Sequence, residues 1–161
     1  MKSAVKSTVT KIFGAAVLLL ISYACVQKNA SADLKNSAEE IVSLKYSNIG
    51  GMQGSYRIFT ATEDSIKFEN GLSVNKTHKE WRAKMSVENW KKLTSALDLK
   101  TLGKIKSSPS MQPVDGIDET FQVKTNKKTQ VFVNAYNDSS NYRQLQNLKT
   151  AFENMLPKEY K

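Results

Sequence analysis

The chain has 161 residues, 24% of them charged and 40% hydrophobic, with 24 basic against 15 acidic side chains and a net charge of +9. It holds one cysteine, Cys25, and one histidine, His78. These counts exclude a disulfide framework, a thiolate-held zinc or iron–sulfur centre and a metal site made of several histidines.

Lys2, Lys6 and Lys11 precede an apolar run at 12–24 that only Gly14, Ser22 and Tyr23 interrupt. A positive start, a short apolar stretch and a small residue, Ala24, before Cys25 make a signal peptide. The run is about thirteen residues long, against roughly twenty for a permanent membrane span. Ser22-Tyr23-Ala24-Cys25 reads as a loose lipobox with Cys25 as the lipidated first residue. It departs from the usual pattern at Ser22, where a bulky aliphatic stands in most lipoboxes. The alternative is ordinary cleavage after Ala32, within Ala30-Ser31-Ala32, which leaves a long polar stretch containing Lys28.

The expected organisation is a signal peptide at 1–24, a flexible polar tether at 25–40 and a globular domain at 41–157. Loss of the three leading lysines lowers the charge to about +6, a value that suits either a solvated surface or an anionic partner.

Within the domain, alternating apolar residues predict a strand at 41–46. Gly50-Gly51-Met52-Gln53-Gly54 breaks the pattern. Strands follow at 55–60, with Phe59 on the face opposite Tyr56 and Ile58, and at 65–69. Asn70-Gly71 is a turn signal. A fourth strand at 77–85 carries Trp81 and Ala83 on one face. Ser86 is an N-cap with Glu88 in the first turn, and Val87, Trp90, Leu93 and Leu97 form the apolar stripe of a helix ending near Leu99. Residues 107–118 read as irregular, with Pro109, Pro113 and Gly116. A hairpin at 120–125 and 129–135 turns at Asn126-Lys127-Lys128, with Val131 and Val133 facing inward. A closing helix at 141–156 carries Tyr142, Leu145, Leu148, Phe152 and Met155 on one stripe, and Pro157 ends it. The fold class is α+β: a single domain whose antiparallel sheet of about six strands carries two helices on one face.

Chemistry is sparse. The glycine cluster lacks the spacing of a phosphate cradle and runs into a strand. His78, beside Lys79 and Glu80, reads as a strand-surface residue without a nucleophile to serve. Adjacent carboxylates at Glu39-Glu40, Glu63-Asp64 and Asp118-Glu119 point to opposite strand faces, unlike a glycosidase pair. Calcium at Asp115, Asp118 and Glu119 lacks an EF-hand loop. Basic residues around Tyr56, Trp81 and Trp90 are scattered among acids, so nucleic acid is not the expected partner. No cofactor, metal site or catalytic residue is expected.

Gln112-Pro113-Val114-Asp115-Gly116-Ile117-Asp118 is the distinctive internal segment. Pro113 stiffens it, Asp115-Gly116 makes a tight turn, and Asp118 is placed to bond backbone amides at the start of the next strand. Gln112, Asp115, Gly116 and Asp118 are the candidate recognition loop.

The loop, the glycines at Gly50-Gly51, Asp64-Ser65-Ile66, Trp90 with Leu93 and the leucine-rich closing helix together resemble a family of short exported proteins and lipoproteins of Bacteroidota. The resemblance spans most of the domain. It implies no catalytic role, and it is consistent with a loose lipobox. Asp64-Ser65-Ile66 also resembles that phylum's periplasmic O-glycosylation acceptor.

The expected protein is thus exported to the cell envelope and membrane-anchored through lipid at Cys25, or else soluble in the periplasm or secreted. The expected role is noncatalytic binding or accessory work with an envelope protein or glycan, and self-association is left open. The alternatives are a hydrolase using carboxylates near Asp115 and Asp118, and an inhibitor-like module acting on a secreted enzyme.

Overall fold

A computed structural model describes residues 38–161; the expected signal peptide, Cys25 and most of the expected tether lie outside the described residues. Six strands form one antiparallel sheet: β1 (Ile41–Gly50), β2 (Ser55–Ala61), β3 (Ser65–Leu72), β4 (Thr77–Lys84), β5 (Ile117–Thr125) and β6 (Thr129–Val133), in the order β4-β3-β2-β1-β5-β6. Helices α1 (Val87–Thr94) and α3 (Arg143–Met155) pack on one face, with a single turn, α2 (Leu99–Leu102), between them in sequence. The α+β expectation holds. None of the described helices is long and apolar enough to cross a membrane.

Period-two alternation selects the covered face. Leu44 and Tyr46, Phe59 and Ala61, Ile66 and Phe68, and Phe121 and Val123 all point into the core. Leu93, Leu145, Leu148 and Phe152 meet them from the helices. An aromatic row crosses the sheet, with ring centroids 4.8 Å apart for Tyr46–Phe121 and 4.7 Å for Phe59–Phe68; Phe152 docks on Phe59 at 5.3 Å. Burying each such side chain contributes roughly 1.5–3 kcal/mol.

Several expectations change. Asn70-Gly71 is not a turn but lies inside β3; the chain reverses at Ser73–Lys76, where Lys76 takes a left-handed φ of 51°. Gly71 is needed there for the close approach of Thr77 and Tyr56 rather than for a turn. The first helix stops at Thr94, because the Thr94 hydroxyl donates to Trp90 O and the Ser95 hydroxyl to Lys92 O, competing with further helical bonds. Asp98 then caps α2 by accepting from Lys100 N at 3.0 Å. Val87, at the first helical position, is 82% exposed and outside the stripe, while Trp90 is partly rather than fully buried. Ser86 caps α1 as expected, accepting from Asn89 N at 3.1 Å.

On β6 the inward residue is Phe132, not Val131 or Val133. The register opposes Phe132 to Phe121, so the larger apolar side chain takes the core position and Val131 faces solvent. The domain also extends past both expected limits. Glu39 accepts from the Thr125 hydroxyl, Glu40 exchanges bonds with Asn126, and Tyr160 donates to Glu80 O.

Candidate functional site

The segment singled out in the sequence lies at one end of the sheet, where Gly50 of β1 pairs with Ile117 of β5. Asp118 is its anchor. The buried carboxylate accepts from Met111 N at 2.7 Å, from Asn134 Nδ2 at 2.9 Å and from the Ser110 hydroxyl at 2.5 Å. Burial alone would raise the Asp118 carboxyl, but these bonds outweigh it and hold the group below its ordinary range. Asn134, fully buried in a left-handed conformation, binds Glu119 N, Pro109 O and Asp118, and so ties the loop to the β6 end.

Gly116 is sterically required: a Cβ would fall 2.4 Å from Met111 Cβ. Its carbonyl accepts from Gly51 N at 3.0 Å, which joins the loop to the glycine turn. Gln112 closes the joint from the other side, donating to Ile49 O at 3.3 Å. Pro113 sits in a short 3-10 turn, Gln112–Val114, and Asp115 follows it exposed at a φ of 57°. Gln112, Gly116 and Asp118 therefore hold the loop, and Asp115 marks its outer bend.

This braced loop displays apolar side chains. Met52 and Val114 are 86% and 77% exposed, and Ile117, Met111 and Tyr136 are about half exposed. The Tyr136 hydroxyl lies 3.4 Å from Met111 Sδ.

Asp118 and Glu119 point to opposite faces, as strand neighbours must. Glu119 enters the covered side, where it accepts from the Tyr142 hydroxyl at 2.5 Å and from Lys149 Nζ at 2.7 Å. Burial pushes the Tyr142 phenol up, and the bond to Glu119 adds to it. Burial opposes the charge on Lys149, but bonds to Glu119 and Tyr46 outweigh it and raise its pKa. Asp115, Asp118 and Glu119 are thus not brought together as calcium ligands.

A second cluster lies on the uncovered face. Glu69 of β3 pairs with Glu80 of β4, and His78, two residues before Glu80, shares that face with Glu80. Lys67 reaches both carboxylates, and Arg82 bonds Glu80. Arg82 first and Lys67 second hold the Glu80 carboxyl down to about 2. His78 is on the strand surface as expected. Ser65 is exposed at the start of β3 beside the Thr62 hydroxyl.

Sequence reasoning missed Asn134, the Glu119 network and this open-face cluster. His-Lys-Glu at 78–80 places two donors on one strand face, a readable signal. Glu69 joins them only through the β3–β4 register.

The fold and the loop define an antiparallel α+β domain with a braced apolar loop end. No family model matches the chain, and no curated protein matches it.

Proposed function

We propose that the chain is an exported, lipid-anchored envelope protein whose folded domain is a noncatalytic binding module, with the loop end of the sheet as its binding surface. One observation carries the binding role: the segment at 111–117 is braced by buried bonds at Asp118 and Asn134, yet turns Met111, Val114 and Ile117 outward. A loop ordered before binding loses less entropy when a partner docks, and exposed apolar side chains provide the contact area. The partner class is an envelope protein or glycan. The anchor rests on the signal pattern and the lone Cys25.

The carboxylate hydrolase gains nothing from this geometry. Asp118 is committed to three donors and holds its charge, the opposite of a general acid. A rigid loop at a sheet end does suit an inhibitor-like module, which is one form of the same binding role.

Affinity capture from intact envelopes should recover a partner with the wild-type domain and lose it with Met52→Asp/Val114→Asp, at unchanged thermal stability. Equal recovery by both would refute the loop end as the surface. Separately, Cys25→Ala should abolish lipid labelling and release the protein from membranes. Unchanged membrane partitioning would refute the anchor.

A further inference from the structure

On the face away from the helices, three neighbouring strands set Tyr56, Gly71 and His78 side by side. A Cβ on Gly71 would sit 2.0 Å from Thr77 O and 2.5 Å from the Tyr56 hydroxyl. Glycine therefore lets the phenol cross β3 and reach β4. There the hydroxyl donates to Thr77 O at 3.3 Å and lies 2.8 Å from His78 Nδ1. In the tautomer with hydrogen on Nδ1, the phenol gives its one proton to Thr77 O and its oxygen accepts from Nδ1–H. That tautomer leaves a lone pair at Nε2, the atom a metal ion takes.

That nitrogen lies 3.9 Å from a Glu80 oxygen, and donor atoms of Glu69, His78 and Glu80 all lie within 4.8 Å of one another. Three electron-pair donors converging on one point call for a cation. The Lys67 ammonium already approaches it, 2.5 Å from Glu69 and 3.0 Å from Glu80, with Arg82 beside Glu80.

We propose that Glu69, His78 and Glu80 form a binding site for a divalent transition ion of the Zn²⁺ type, with Tyr56 orienting the imidazole and Lys67 moving aside to admit the ion. One imidazole with two carboxylates suits Zn²⁺ or Cu²⁺ better than Mg²⁺ or Ca²⁺, which favour all-oxygen sets. Bonds of roughly 2.0–2.2 Å require the three side chains to close inward. They have the freedom to do so, being 25%, 51% and 31% exposed in the order Glu69, His78, Glu80. Three protein ligands leave a coordination position for water or for a group on a partner. The Tyr56–His78 contact plays the part of the outer hydrogen bond that fixes a ligating histidine.

The test is Zn²⁺ titration of the full chain carrying Cys25→Ser, which removes the one thiol, followed by calorimetry and by nitrogen-15 spectra of the imidazole. His78 is the sole histidine, so one pair of ring signals reports directly on the site. One equivalent of Zn²⁺ should shift Nε2 and lock the Nδ1–H tautomer, while Mg²⁺ leaves both signals in place. His78→Ala should abolish binding, and Tyr56→Phe should weaken it about tenfold. Lys67→Met should tighten it about fivefold by removing a competing charge, a gain that misfolding does not mimic. Unmoved ring signals in excess Zn²⁺, an equal response to Mg²⁺, or no tightening in Lys67→Met would overturn the proposal and leave an ion-pair network.

Discussion

Glu119 and Glu80 are chemically alike and set on opposite faces of the same sheet. Glu119 lies on the side covered by α3, almost without exposure, with Tyr142 and Lys149 donating to it. Glu80 lies on the uncovered side, gripped by Arg82 and Lys67 in water. Both carboxylates are well partnered, yet the consequences differ. Beneath the helix the Glu119 carboxylate itself is shut away from solvent while Lys149 stays 30% exposed, so removing the carboxylate leaves half-buried donors without an acceptor. On the open face water replaces any lost partner. The covered face holds the fold together; the two proposed binding sites lie on the open face and at the loop end.

The sharpest way to break that division is to empty the covered face. Phe59→Ala should cost about 4 kcal/mol in urea unfolding, since the fully buried ring packs on Phe68 and Phe152 and its loss leaves a cavity. Glu119→Ala should cost about 3 kcal/mol, because the half-buried Tyr142 hydroxyl and Lys149 ammonium lose a shared acceptor. Glu80→Ala, its counterpart, should leave the urea midpoint within experimental error. Equal losses for the two glutamates would erase the distinction between the faces.

Gly116→Val tests the loop joint and should cost about 2 kcal/mol, because its side chain would overlap Met111. The smallest effect concerns acid. Asp118 has a folded pKa below its ordinary 3.8, so its charge stabilises the fold above that value, and the benefit fades as pH falls through the folded pKa. The stability gap between wild type and Asp118→Asn should be constant near neutrality and narrow below pH 3.8. A gap that widens in acid would contradict the bonding around Asp118.

Where alternation is clean the sheet was legible in the sequence: Ser65-Ile66-Lys67-Phe68-Glu69 reads correctly because each inward apolar residue follows an outward polar one. It failed where three apolar residues adjoin. Val131-Phe132-Val133 permits either face, and pairing with Phe121 decides. Asn70-Gly71 looks like a turn because local propensity carries no knowledge of Tyr56, whose ring needs the glycine on the adjacent strand. The same limit applies to the sites. Asp118 was identifiable as a loop anchor from Pro113 and Gly116 nearby, because its partners Ser110 and Met111 are close in the chain. Asn134 meets Asp118, and Glu69 meets Glu80, through strand pairing, which local propensity does not encode.

The binding role of the loop end is tested most directly by placing a photoreactive residue at Val114 and, as a matched control, at Val87. Both sites are apolar and more than three-quarters exposed, but Val87 opens α1, away from the loop. Irradiation in intact envelopes should give a discrete crosslinked product from position 114 and none from position 87. A product from 87 alone, or indistinguishable products from both, would contradict the loop end as the recognition surface.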